Sequence, residues 1–265
     1  MSDQQIQLMH GDCLELMALI PDGSVDMILC DLPYGVTACE WDCPLDPVPL
    51  WRQYLRVLKP SGAVCLTATQ PFTTDLIQSQ RKLFRYDLVW NKVNFHTGAL
   101  MARKRPLRSH ETVCVFYRKQ PTYNPQWHGK PRKPKSHGKR NGAHIQSDNK
   151  EHNRKLSKAQ PGAYPGSIID VPSWGNKTRL HPTQKPVALF EYLIRTYTNP
   201  GEVVLDNCFG SGTAAVACIQ SGRRFIGIEK DPVYFAAAVQ RVHDTHRNLF
   251  AQEAYDAESI DALAA

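Results

Sequence analysis

Long apolar runs are missing from this chain. No stretch approaches the ~20 consecutive apolar residues of a membrane-crossing helix, although hydrophobic residues make up 42% of the 265 positions. Such a content fills a core. The first residues, Met1-Ser2-Asp3-Gln4-Gln5, are polar and lack the apolar centre of a secretory leader, so a cytoplasmic location is the default expectation. Acidic residues are in deficit: 25 Asp and Glu stand against 32 Lys and Arg, for a net charge of +7 and a pI near 9.0. That imbalance favours an acidic partner, and nucleic acid is the commonest one. Paired cysteines are scarce as well. Of eight cysteines only Cys39 and Cys43 stand close, and no second pair answers them, so no metal site is expected. Cys30, Cys65, Cys114 and Cys218 lie in apolar runs and read as small core residues. Finally, no G-x-G-x-x-G occurs, which argues against a dehydrogenase.

What is present centres on Asp31-Leu32-Pro33-Tyr34-Gly35. It follows Val25 to Cys30, an apolar run that reads as a buried strand. A carboxylate, a proline and an aromatic just past a strand end sit where open α/β sheets bind ligands. Asp31 can accept hydrogen bonds from an amino group, the Pro33 region offers a carbonyl as second acceptor, and the Tyr34 ring can stack on a planar ring. A plain strand-to-turn transition uses the same residue types.

A second stretch separates these readings. Val203 to Asp206 reads as another buried strand and runs into Asn207-Cys208-Phe209-Gly210-Ser211-Gly212-Thr213, with a helix from Ala214 to Ile219. Glycines at such a junction let backbone approach a ligand closely. The next strand, Arg224 to Ile228, ends at Glu229, the place of a ribose-hydroxyl acceptor in nucleotide-binding βαβ units.

These residues carry a resemblance. Asp206 to Thr213 with Glu229 look like the S-adenosylmethionine site of class I methyltransferases. Asp31 to Tyr34 resembles the catalytic D-P-P-Y of DNA amino-methyltransferases, with Leu32 as the departure. The catalytic motif precedes the cofactor motif across a long insert, an order similar to the β group of that family, and Leu180 to Pro186 matches the group's segment before the cofactor strand. The resemblance covers about residues 5–118 and 179–245. It implies a doubly wound, mostly parallel α/β sheet of seven strands, one of them antiparallel. It implies Asp31, Pro33 and Tyr34 as catalytic residues. Cofactor contacts would come from Asp12, Asp31, Thr183, Lys185, Asp206, Phe209, Gly210, Gly212, Thr213 and Glu229, with Asp12 near the adenine. Read from the residues alone, Asp12 is a helix cap. The implied activity is methylation of the N6 amine of adenine in double-stranded DNA, within a restriction-modification setting. N4 of cytosine, or an RNA or protein substrate, are the alternatives. C5 methylation is rejected because no Pro-Cys dipeptide occurs. The group often dimerises, so a homodimer is expected.

The rest of the chain is placed around these motifs. Helices are expected over Cys13 to Leu19, Leu50 to Leu58, the segment reaching Gln80, Pro186 to Tyr197, and Asp231 to about His246. Strands are expected over Ile6 to Met9, Ala63 to Thr67, Tyr86 to Trp90 and Glu111 to Tyr117. Asn91 to His110 is basic and aromatic, and Lys92, Arg103, Lys104, Arg105 and Arg108 are candidate DNA contacts because phosphate binding needs clustered cations. From Arg118 the composition turns rich in Pro, Gly, Lys and Arg. Residues 118–178 match the group's target-recognition insert, and Lys130, Arg132, Lys133, Lys135, Lys139 and Arg140 are its candidate DNA contacts. The catalytic domain is then 1–117 with 179–250, followed by a flexible tail over 251–265.

Overall fold

The computed structural model describes residues 6–35, 42–93, 95–131, 160–173 and 184–264, with backbone alone at 250 and from 252 on. It falls into two compact units, 1–124 with 167–265 and 125–166. The expected insert therefore gives up both ends: residues 118–124 and 167–173 belong with the sheet, because Asn124 is bonded to the backbone of Thr196 and Thr198 and Ile168–Asp170 pairs as a strand.

The larger unit is an eight-stranded sheet. Its strands are β1 (Ile6–His10), β2 (Val25–Cys30), β3 (Leu58–Ala68), β4 (Phe84–Asn91), β5 (His110–Phe116), β6 (Ile168–Asp170), β7 (Val203–Asp206) and β8 (Arg224–Glu229). Their spatial order is β1-β8-β7-β2-β3-β5-β4-β6. All pairings are parallel except those of β5 with β3 and with β4. One reversed strand was expected; the strand beyond the expected seven is β6, three residues on the edge beside β4.

Both faces of the sheet are covered, and the alternation along each strand shows it. In β2, Met27 and Leu29 face one core while Ile28 and Cys30 face the other. β3 divides Ala63 and Cys65 from Val64 and Leu66, and β5 divides Val113 and Val115 from Cys114 and Phe116. The first core packs against α4 (Val187–Tyr197), α5 (Thr213–Ser221) and α6 (Pro232–Ala264). The second packs against α1 (Cys13–Met17), α2 (Pro47–Val57) and α3 (Phe72–Ser79). Strands buried on two sides read as continuous apolar runs, which is why β2 and β7 stand out in the sequence. Leu189, Leu193 and Ile194 on α4 are fully buried, and each such side chain contributes about 1.5–3 kcal/mol.

Three element boundaries differ most from the sequence expectation. Helix α2 begins at Pro47, not Leu50, because the Asp46 carboxylate caps the Val48 N–H and proline fits the first helical position. Strand β3 begins at Leu58 and carries Pro60 and Gly62 through a register shift opposite Val25 to Met27, where Pro60 removes no ladder bond that the register needs. Helix α6 continues to Ala264, past the expected end near His246. Residues 247–264 contain no Pro or Gly and are rich in Ala, so no stop signal interrupts it. In the smaller unit, Trp127 and Tyr164 rings meet at 4.5 Å, and a backbone bridge joins His128 to Ala163.

Among the described residues no helix is long and apolar enough to cross a membrane.

Candidate active site

The C-terminal ends of β2, β3, β4, β7 and β8 open into one cavity of about 710 Å³. That volume lies within the ~300–1,000 Å³ typical of small-molecule clefts. Asp31, Pro33 and Tyr34 line it from β2, and Asp206, Phe209, Gly210 and Thr213 line it from β7 and the loop that follows. Asp12, Lys185 and Glu229 of the expected set line it as well. Gly212 does not line the cavity: it is the N-cap of α5 with φ of +79°, and a Cβ there would come within 3.2 Å of the Ala238 Cβ. Thr183, Arg132, Lys133, Lys135, Lys139 and Arg140 lie outside the described residues.

At the catalytic end, Asp31 is the centre of a polar cluster. Its Oδ1 accepts from the Tyr34 hydroxyl at 2.6 Å and from the Thr67 hydroxyl, and its Oδ2 meets the Lys185 ammonium at 2.5 Å. Lys185 also lies 3.4 Å from Glu111, and Glu111 is 2.6 Å from Lys92. Four charges thus alternate, Asp31, Lys185, Glu111, Lys92, and they bury as a unit. Desolvation alone would push the Lys185 ammonium down; Asp31 and Glu111 outweigh it and hold it above its ordinary value. Desolvation would likewise raise the Glu111 carboxyl, and Lys185 and Lys92 hold it below the usual range. Burial, then the charges of Asp31 and Glu111, drive the Tyr34 phenol well up, so it stays a hydrogen-bond donor.

The loop itself is fastened by Asp42, whose Oδ1 accepts the N–H groups of Tyr34 at 2.7 Å and Gly35 at 2.9 Å. The Tyr34 ring stacks on Phe72 with centroids 5.0 Å apart and 27° between planes, and the Lys185 ammonium stands 5.6 Å from its centre. The structure thus gives Tyr34 a contact to the Asp31 carboxylate beyond the stacking role read from the sequence.

Lys92 is corrected. It was grouped with surface cations, but it is only 3% exposed, paired with Glu111 and set 5.2 Å from the Trp90 ring. Buried and already paired, it offers little to a phosphate backbone. Arg103, Lys104, Arg105 and Lys130 are exposed as expected, and Arg108 is half-buried at the cavity wall. Glu111, Asp42 and Thr67 were missed as site residues. Glu111 had one available signal: a carboxylate near the start of a reversed strand arrives at the same sheet edge as the ends of the parallel ones.

The cofactor end is built differently. Glu229 accepts the Gly210 N–H at 2.9 Å through one oxygen and the Asp231 N–H at 2.8 Å through the other, which fixes its orientation. Gly210 has φ of +50°, a conformation that favours glycine. Asp206 is almost fully buried and accepts the Cys208 N–H at 3.1 Å. Burial pushes its carboxyl up to about 7, against the opposing bonds from Cys30 and Cys208, and the charges of Asp31 and Glu229 push the same way. Asp12 caps α1, as expected, through the Leu14 N–H at 2.9 Å, and it also lines the cavity. Two bonds join the ends of the site. Thr213 donates to the Lys185 carbonyl at 3.3 Å, and Ser211 donates to Gln184 at 3.1 Å.

Comparison with known proteins agrees with this geometry. DNA adenine methyltransferase YhdJ of Escherichia coli is 29% identical over 89% of this chain and 82% of its own length. Type II methyltransferase M2.MboI of Moraxella bovis is 24% identical over 91% and 89%. Among solved structures, an M1.HpyAVI–S-adenosylmethionine complex matches with a TM-score of 0.58 and 25% identity, over 89% of this chain and 99% of that one. PvuII DNA methyltransferase, described as cytosine-N4-specific, matches with a TM-score of 0.64 at 16% identity over 92% of each chain, a likeness of fold. The family model described as DNA methylase matches residues 25–240, and on that span the chain belongs to the N6/N4 DNA methylase family.

Proposed function

We propose that the protein transfers a methyl group from S-adenosylmethionine to the N6 amine of an adenine flipped out of duplex DNA. The observation that carries this reading is the single cavity with Asp31 and Tyr34 at one end and Asp206, Gly210 and Glu229 at the other. The name of YhdJ, a DNA adenine methyltransferase, supports the choice of base.

The residues fit the cofactor. A buried carboxylate whose proton is held to about pH 7 favours a cationic ligand group, which Asp206 would meet in the cofactor's ammonium. Glu229, oriented by two backbone donors, keeps acceptor capacity for ribose hydroxyls. Bound S-adenosylmethionine would supply an already activated sulfonium methyl. The protein's part is placement and charge stabilisation. An exocyclic amine is a poor nucleophile because its lone pair is delocalised into the ring. Asp31 and the Pro33 carbonyl would accept its two N–H groups, favour a pyramidal nitrogen and offset the positive charge that develops on it. The Tyr34 and Thr67 hydroxyls and Lys185 hold the carboxylate in place for that task.

DNA contacts fall to Arg103, Lys104, Arg105 and Arg108 and, in the insert, to Lys130 with its basic neighbours. Neutralising Arg103, Lys104 and Arg105 together is expected to weaken binding at every sequence. Each lost phosphate contact flattens the slope of log K against log salt by about 0.9. Anisotropy across a salt series measures it. A homodimer and a restriction-modification setting belong to the same proposal and rest on the resemblance; a cytoplasmic location is part of it too.

The deciding experiment is methylation-sensitive sequencing of DNA from a methylation-deficient host expressing the protein. N6-methyladenine at one sequence context is expected. N4-methylcytosine would move the substrate assignment, and unmodified DNA would overturn it.

A further inference from the structure

Residues 92–109 join β4 to β5 at the cavity mouth. Thr97 and Arg108 close this loop at its foot through paired backbone bonds of 2.9 and 3.0 Å. Both residues line the cavity, as does Phe95. Beyond the foot, Gly98 turns the chain with φ of +88° into a single 3-10 turn, Ala99–Met101. The Leu100 side chain on that turn is 100% exposed, and Met101 and Leu107 are also exposed. Arg103, Lys104 and Arg105 follow within five positions of Leu100 and are exposed too. Leu100 is three residues from Thr97, so it stands within roughly 10 Å of the cavity wall.

A lone exposed leucine is ordinary. This one belongs to an apolar tip that stands exposed among the described residues, is flanked by cations, and is tethered by its foot to the active site. Two features of one ligand match that combination. Phosphates suit the three cations, and the apolar interior of a base stack suits the tip. A protein surface would suit the leucine but gives no reason for three adjacent cations, and a bare phosphate backbone would suit the cations but not the leucine.

We infer that Leu100, backed by Met101, is a wedge that enters the DNA stack at the position the target base vacates. Arg103, Lys104 and Arg105 grip the phosphates beside it. The inference rests on the proposed function. Removing a base from a duplex unstacks it and leaves a gap, and apolar side chains inserted at a step stabilise the opened form. The foot of the loop fixes the distance between wedge and pocket. The vacated position and the pocket that takes the base are then held in register.

The test compares Leu100→Ala with the wild type in single-turnover methyl transfer on two duplexes carrying the methylated context. One is fully paired; in the other the target adenine faces an abasic position, so extrusion is already easy. Because Leu100 is fully exposed, the variant keeps the core intact, and unchanged S-adenosylmethionine affinity verifies this. The variant is expected to be slowed roughly ten-fold or more on the paired duplex, where ten-fold corresponds to about 1.4 kcal/mol. On the abasic duplex it should lie within about two-fold of wild type, since the opened state no longer depends on the wedge. 2-Aminopurine at the target position should brighten on wild-type binding and less with the variant. Equal slowing on both duplexes, or none on the paired one, overturns the wedge. Failure of the wild type to methylate the paired duplex overturns the underlying function as well.

Discussion

Asp31 and Asp206 follow or end two neighbouring parallel strands and open into one cavity, yet they live in opposite surroundings. Asp31 has an ammonium at 2.5 Å and two hydroxyl donors. Asp206 is more deeply buried and, among the described residues, has a backbone N–H and a thiol but no cation. One carboxylate carries its counter-charge within the fold. The other is left to receive it from a ligand. In the proposed function the same residue type at the same kind of strand end serves two tasks, holding an uncharged amine and holding a cationic cofactor.

The largest expected effect comes from removing the first carboxylate. Asp31→Asn should lower methyl transfer by about 10²–10⁴-fold, the range for loss of a positioned proton acceptor. Cofactor affinity should stay within a few-fold. Transfer of tritiated methyl groups to DNA, with calorimetry of cofactor binding, measures both. Near-normal turnover would erase the distinction between the two aspartates.

Removing the counter-charge comes next. Lys185→Met leaves Asp31 and Glu111 facing each other without their shared cation, and losing one partner of a buried pair costs about 3–5 kcal/mol. Denaturant unfolding should show a loss of that order. Adding Asp31→Asn should recover part of it, because the carboxylate left without a cation is then also gone, while Glu111 keeps Lys92. An additive double variant would mean the network is not a unit.

The smallest effect is a pH dependence at the other end. The Asp206 carboxyl is neutral below about 7 and ionised above it, and a cationic ligand prefers the ionised form. S-adenosylmethionine should therefore bind more tightly as pH rises from about 6 to 8, by up to about ten-fold, with release of a proton. Calorimetry in buffers of different ionisation enthalpy detects that proton. The linked stability runs the other way. The folded value lies above the unfolded one near 3.8, so the cofactor-free protein holds the extra proton between them and loses stability as pH climbs from about 4 through 7. A pH-independent affinity would show that Asp206 meets no cation.

The strand ends were legible because each apolar run stops at a polar residue: Cys30 before Asp31, Leu205 before Asp206, Ile228 before Glu229. The Gly210 loop was legible for the same local reason. The ion-pair chain was not, since Lys185 and Asp31 are 154 positions apart and periodicity carries no record of such a pairing. Lys92 shows the cost of reading charge by composition: a lysine in a basic run is buried once Glu111 on the neighbouring strand gives it a partner. Asp42 was hidden because its work, holding the Tyr34 and Gly35 N–H groups, belongs to irregular chain that has no repeat to read.

Strand β5 runs against the rest of the sheet, and this has a consequence for how the molecule can change. Parallel neighbours must be linked by a crossover that returns the chain to the far edge. A reversed strand needs only a turn at the near edge, and Asn91 pairs with His110 across that turn. The eighteen intervening positions, 92–109, therefore answer to no strand register beyond their foot. Substitutions, insertions and deletions at the tip leave the two cores untouched, while every one of them alters what stands at the mouth of the site. The fold sets aside a piece of surface at the mouth of the site that evolution can rewrite without refolding the enzyme.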